Sequence, residues 1–173
     1  MIFGELLTSG NYSTNEKKIV GGKNGYGAKL TNIFSTEFEI KTVDHIRKKK
    51  FIQKFTDNMK IKHKPKITGT DVSPYTKITW TTDFARFGIV EFSDFMINLM
   101  YRRVYDIAGV TDDSVKVMFN DNPIKVKNFQ SYISMYIGDP AETCRSYQDS
   151  IGWQIAATSS DDDVFQHISY VNG

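Results

Sequence analysis

From Val20 to Leu30 the chain reads Val-Gly-Gly-Lys-Asn-Gly-Tyr-Gly-Ala-Lys-Leu, with four glycines and two lysines directly ahead of an amphipathic pattern. Residues of these types at this spacing could hold a phosphate. Glycine admits positive φ and lets backbone come close to a ligand, and the free N–H groups at a helix start attract anions. Lys29 would add a full charge in the first turn. Two common cradles are excluded by spacing. A P-loop requires G-x-x-x-x-G-K-[ST], and here Gly22 and Gly27 are followed by Ala28 and Lys29, so the lysine is displaced and the metal-binding hydroxyl is missing. A dinucleotide fingerprint requires G-x-G-x-x-G after a strand, whereas Gly22, Gly25 and Gly27 give G-x-x-G-x-G after a polar loop.

The remaining reactive residue types carry less. His45, His63 and His167 have neither metal-ligand spacing nor a neighbouring cysteine or carboxylate set. Cys144 is the single cysteine, which rules out an intrachain disulfide and a cysteine-based metal cluster. No nucleophile elbow accompanies the Ser, His and Asp residues. Arg102 and Arg103 read as the solvated face of a helix, and Asp161 to Asp163 as a solvated turn. From Arg47 to Lys66 basic and aromatic residues interleave as in single-strand binders, but the alternation is equally that of a half-exposed strand.

Around the glycines the pattern predicts the elements that must position them. Phe3, Leu6 and Leu7 fit a short helix, and Thr8 to Lys18 a polar loop able to close over a ligand. Tyr26, Leu30, Ile33 and Phe34 fall on one helical face, which would hold the cradle against a core. Extended segments follow at 38–43, 50–55, 59–63 and 76–81, broken by Pro65, Gly69 and Pro74. A longer helix starts at the N-cap Ser93, carries the stripe Phe92, Phe95, Met96, Leu99, Met100, Val104 and Ile107, and is ended by Gly109. Asn120-Asp121-Asn122 marks a hairpin between 115–119 and 123–126. Tyr132 to Ile137 is one more ordered segment, and 153–158 and 164–171 read as strands joined across 159–163. The order of elements gives a two-layer α/β sandwich. Apolar residues make up 40% of the 173, enough for a globular core, and the formal charge of +2 sets up no global field for nucleic acid. No apolar run reaches membrane-spanning length and no secretory leader is visible, so the expected location is intracellular.

The run Gly-Gly-Lys-Asn-Gly-Tyr-Gly-Ala-Lys-Leu, followed by Thr31-Asn32-Ile33-Phe34-Ser35-Thr36-Glu37-Phe38, closely resembles the ATP-lid segment of eukaryotic-type (type IIA) DNA topoisomerase II, a GHKL ATPase. Leu6 to Tyr12, Arg102 to Gly109, Val115 to Asn120 and Ile168 to Asn172 resemble family landmarks in the family's order. The resemblance implies residues 1–128 as the C-terminal part of a GHKL ATPase domain and 129–173 as the opening strands of a transducer domain. It implies that Lys23, Asn24, Gly25, Tyr26 and Gly27 surround a triphosphate, that Lys29 pairs the phosphates, and that Ser9 and Asn11 contact the nucleotide. Lys23 stands where many members carry arginine, and Gly10 where relatives have a second serine. ATP and Mg2+ are the implied cofactors, double-stranded DNA and a second subunit of a homodimer the implied partners, with no membrane. The location would be the nucleus for a cellular eukaryotic protein and host cytoplasm or nucleus for a viral one. The family's general base, magnesium-binding asparagine and adenine-reading residues are expected upstream of Met1, and the transducer lysine beyond Gly173, which makes this an interior segment with no ATPase activity by itself. Another GHKL ATPase, of mismatch-repair or chaperone type, and a nucleic-acid-binding module on the 47–66 face are the alternatives.

Overall fold

Alternation of apolar and polar residues builds the first half of the chain around a single sheet. The computed structural model describes residues 2–13, 15, 22–139, 145–150, 152–160 and 164–171, and the chain divides into two compact units, Met1–Glu91 and Phe92–Gly173. In the first, α1 (Gly27–Ile33) leads into β1 (Ser35–Asp44) and β2 (Lys49–Thr56), then β3 (Ile61–Lys62), β4 (Lys66–Gly69) and β5 (Thr76–Thr82). All pair antiparallel, with β1 between β2 and β5, and with β3 and β4 on the far edge of β2. The register sets Phe38 opposite Phe55 on one side and Trp80 on the other. Phe38, Ile40 and Phe55 are buried there, and Phe3 and Met59 pack on them. Each such side chain contributes roughly 1.5–3 kcal/mol by leaving water.

The opposite face of the sheet is charged: Lys41 pairs with Glu39 at 2.7 Å and Lys54 with Glu37 at 2.6 Å. Strands β1, β2 and β5 lie where the alternation predicts them, and the α/β class is borne out. The expected segment 59–63 shrinks to β3, because Met59 at φ +66° belongs to a turn, and β4 is unexpected, since Pro65 and Gly69 read as breaks. Both sit at the ends of an edge strand, where a missing donor or side chain is tolerated.

Helix α1 docks on two polar residues, with only the Ile33 and Phe34 end of its apolar pattern partly buried. Leu30 is 46% exposed and Tyr26 is exposed too, while Lys29 and Asn32 are each 1% exposed. The Asn32 amide donates to the Phe3 carbonyl at 3.0 Å, and the Lys29 ammonium reaches two backbone carbonyls. Polar anchors with partners in earlier loops outweigh the weak apolar stripe of a helix this short, and the methylene stem of Lys29 supplies packing.

The second unit is organised on α2 (Asp94–Val110) and α3 (Phe129–Ile137), with short hairpins of β6 (Met118–Phe119) and β7 (Asn122–Pro123), and of β8 (Arg145–Ser150) and β9 (Trp153–Thr158). The Ser93 hydroxyl caps α2 by accepting from the Met96 N–H at 3.3 Å, as its position predicts. Gly109 does not end the helix. It lies buried inside the last turn, because a Cβ there would run into the Tyr132 ring on α3. The expected stripe of α2 is largely exposed, Phe95 at 73%, and the buried positions are Asp106, Ala108 and Gly109. Asn120 and Asp121 both take positive φ, giving the two-residue turn that suits the twist of a hairpin. The segment 164–171 forms no strand. Instead β9 pairs with the polar β8 across a turn containing Gly152 at φ +82°, and residues 161–163 lie outside the described ones.

Tyr132 is the hub of this unit. Its hydroxyl donates to Asp106 Oδ1 at 2.7 Å, so its single proton is committed, and the hydroxyls of Tyr136 at 2.8 Å and Tyr170 at 2.6 Å must donate to it. Burial first, and then the bond to the Asp106 carboxylate, push the Tyr132 hydroxyl far above the ordinary tyrosine range, and burial pushes Tyr170 up as well. A folded-state pKa above the unfolded one means that the native state holds the proton longer. The stabilisation is complete below the ordinary tyrosine pKa of about 10 and is lost as pH rises beyond it. Denaturant unfolding of the chain should therefore show stability that falls from about pH 10 upward, with a shallower fall in Tyr132→Phe. Equal slopes for the two proteins would remove the cluster from this account.

Candidate phosphate-binding loop

Among the described residues the glycine loop makes little backbone pairing of its own, and side chains hold it. Four consecutive carbonyls are held in this way. The Asn11 amide donates to Gly22 O at 2.7 Å and the Ser9 hydroxyl to Lys23 O at 2.7 Å. The Tyr12 hydroxyl donates to Asn24 O at 3.3 Å and the Lys29 ammonium to Gly25 O at 2.9 Å. Lys29 also donates to Thr8 O at 2.8 Å, and Ser9 Oγ accepts from the Asn11 N–H at 3.1 Å. Residues 8–12 and 22–25 are thereby fastened to one another and to the first turn of α1.

Fixing a carbonyl fixes more than an oxygen. Every peptide bond here is trans, so the N–H of the next residue points the opposite way. Three of the bonds aim the N–H groups of Lys23, Asn24 and Gly25 away from residues 8–12 and the fourth aims that of Tyr26 away from the Lys29 ammonium, and none of the four donates to another described residue. Gly25 at φ +69° supplies the left-handed turn that brings successive N–H groups to one side. Successive unpaired N–H groups of this kind make an anion-binding concavity. The charge setting agrees with it. Of the 22 Lys and Arg residues 16 lie in the first unit, against 9 of the 20 Asp and Glu, so an anion approaches a positively charged body.

Ser9, Asn11, Lys23, Asn24, Gly25 and Lys29 thus come together in one cluster, and Tyr26 and Gly27 complete it where α1 begins with no side-chain cap. The Ser9 and Asn11 side chains, expected toward the nucleotide, are engaged with loop carbonyls. Tyr12 was missed in the sequence, where the one available signal was a large side chain with a polar tip inside a run of small polar residues. Its ring lines an open cavity of about 430 Å³ with Ile2, Leu7, Thr8, Ser9 and Gly10. Gly10 has nothing within 4 Å of a Cβ, so the departure from serine there leaves the geometry unstrained.

The other candidate residues stay apart. The basic run is laced with carboxylates: Arg47 with Asp44 at 2.7 Å, Lys48 with Asp71 at 3.1 Å and Lys60 with Asp57 at 3.2 Å, besides the Lys54 to Glu37 pair. Lys62 donates to the Gly4 carbonyl. Among the described residues no cluster of His, Cys, Asp or Glu could hold a metal, and no helix is long and apolar enough to cross a membrane. The Arg102 guanidinium lies 6.0 Å from the centre of the Tyr136 ring.

No protein-family model matches the chain. Curated relatives do. The chain is 46% identical over 176 residues to DNA topoisomerase 2 of Acanthamoeba polyphaga mimivirus, an alignment covering 99% of this chain and 14% of the relative. It is 43% identical over 190 residues to DNA topoisomerase 2 of Saccharomyces cerevisiae, covering 99% and 13%. The chain thus spans about one eighth of the length of the relatives it matches. Among solved structures, the ATPase region of Saccharomyces cerevisiae topoisomerase II is 45% identical at a TM-score of 0.86, over 93% of this chain and 43% of that one. The ATPase and transducer domains of DNA topoisomerase II from Balamuthia mandrillaris are 37% identical at a TM-score of 0.90, over 99% and 44%.

Proposed function

Since the chain is homologous over nearly its whole length to the ATPase region of type II DNA topoisomerases, we infer that it is the ATP-lid and gate segment of such an enzyme, with residues 1–128 in the ATPase domain and 129–173 opening the transducer. The observation that carries this reading is the row of four N–H groups from Lys23 to Tyr26, held open by bonds to the carbonyls behind them. A triphosphate fits that row. Its oxygens accept from the N–H groups and the exposed Lys23 screens the terminal charge, while the buried Lys29 ammonium, on the carbonyl side, holds Gly25 O and Thr8 O and so keeps the row in shape. Bound ATP supplies a phosphoanhydride bond whose hydrolysis drives the cycle. This segment's part is to bind and orient the phosphates. No described donor set fits Mg2+, so no step here runs through the metal.

In the enzyme so inferred, an isomerase of DNA topology, ATP binding closes two copies of this region as a gate and hydrolysis times the passage of one duplex through another. The partners are double-stranded DNA and a second subunit. The location is inside the cell, in the nucleus or, for a viral protein, in the host.

The test is Lys29→Ala in the protein that carries this segment. Loss of the ammonium that fixes Gly25 O and Thr8 O should release the loop, weaken ATP binding about 10- to 100-fold and stop ATP-driven strand passage, while ATP-independent DNA cleavage persists. Unaltered ATP affinity together with wild-type strand passage would refute the assignment.

A further inference from the structure

We propose that Thr8 to Tyr12 acts as a carbonyl strap that shapes the glycine loop before any ligand arrives, and that Tyr12 is a positioning residue in it. The proposal rests on the phosphate-binding reading of the loop. Asn11 holds the peptide between Gly22 and Lys23, Ser9 the next, Tyr12 the third and Lys29 the fourth. Each donor therefore aims one particular N–H: Asn11 that of Lys23, Ser9 that of Asn24, Tyr12 that of Gly25 and Lys29 that of Tyr26. Because a trans peptide is rigid, no neighbour can take over a lost donor's task.

Tyr12 differs from the other three. Ser9 and Asn11 lie within the landmark already expected to meet the nucleotide, and Lys29 was expected on the phosphates. Tyr12 lines the cavity shared with Ile2 and Leu7, and its bond to the loop is the one from its hydroxyl to Asn24 O. A backbone left free there would have to be ordered at the moment of binding, at a cost in conformational entropy. The strap removes that cost in advance, so the hydroxyl raises affinity without touching the ligand.

The experiment uses the 15N-labelled intact ATPase region that carries this segment, with tripolyphosphate as the probe, and compares wild type with Tyr12→Phe, which keeps the ring and deletes only the hydroxyl. Two quantities are read at the amides of residues 23–26: the order parameter without ligand, and the affinity from the titration. In Tyr12→Phe the Gly25 amide should fall from a rigid value of about 0.85 toward 0.6 or below, while Lys23 and Asn24 keep theirs, and affinity should drop about 3- to 10-fold. Asn11→Ala is the companion, with its loss of order centred on Lys23 instead. An unchanged Gly25 order parameter, a loss spread evenly over the loop, or a loosened loop with full affinity would each overturn the strap. Reduced affinity at an unchanged order parameter would make Tyr12 a ligand contact and overturn it too. If wild-type amides ignore tripolyphosphate, the phosphate reading falls, and the order parameters still decide whether the strap exists.

Discussion

Gly25→Val is expected to remove phosphate binding altogether, with affinity reduced more than about 100-fold, and to leave the sheet intact. The backbone at Gly25 is left-handed at φ +69°, a conformation that costs a β-branched residue on the order of 1–3 kcal/mol. Space is short as well. A Cβ would stand 3.0 Å from Thr8 O and 3.2 Å from Lys29 Nζ, and the two further methyl groups of valine would have to enter the same gap. The loop can relieve both strains only by swinging away from residues 8–12. That motion breaks the Lys29 to Gly25 O bond and turns the Gly25 and Tyr26 N–H groups off their common side. Since residues 22–27 are exposed and bring nothing to the Phe38, Ile40 and Phe55 core, the unfolding midpoint should move little. Gly10→Ala is the matched control, because nothing lies within 4 Å of its Cβ. Calorimetric titration with ATP of the intact ATPase region carrying each change is the measurement. Binding by Gly25→Val equal to that of the control would show that the loop has no part in holding phosphate.

What the sequence disclosed of this site follows from the range of the interactions. The glycine spacing and the strands β1, β2 and β5 are local patterns, and they were legible as such. The inward face of α1 was not, because Lys29 and Asn32 are buried by bonds to Thr8 and Phe3, carbonyls 21 and 29 residues away that a helical wheel does not contain. The expected apolar stripe is only half used, with Phe34 packed on the Phe87 ring at 5.0 Å and Ile33 half-buried while Tyr26 and Leu30 are left at the surface. β8 escaped notice for a related reason: Arg145 to Ser150 is polar on both sides and exposed for most of its length, so it offers no period-2 signal, and only its pairing with β9 defines it. Of the site, the residue types were readable and their division of labour was not. Ser, Asn and Tyr in residues 8–12 fit a capping-rich loop equally well, and only the fold shows which carbonyl each one holds.

Gly109 separates the two ways in which a glycine can matter, and it supports the prediction with the largest effect on stability. As a helix terminator it would tolerate alanine at a modest cost. As a packing residue it would not. In the structure it lies within α2, its φ is not positive, and an added Cβ would be 2.7 Å from both Cβ and Cδ2 of Tyr132 and nearer still to Cγ. Tyr132 has no easy retreat. Its ring is packed among Ala108 and Val126, its hydroxyl is fixed by Asp106, Tyr136 and Tyr170, and the Asn128 capping box holds the start of its helix. Relief must come from moving α3 off α2, which sacrifices the burial of Tyr132 and strands the Asp106 carboxylate. Helix propensity alone would favour alanine by about 1 kcal/mol, and overpacking typically costs 1–3 kcal/mol with more where a polar network is broken. The second effect wins. Gly109→Ala should destabilise the chain by about 3 kcal/mol in denaturant unfolding, and Tyr132→Ala should suppress much of that penalty when the two changes are combined, since the clash and the network then vanish together. Additive losses in the double variant, or a Gly109→Ala protein as stable as wild type, would return Gly109 to the role of a simple helix end.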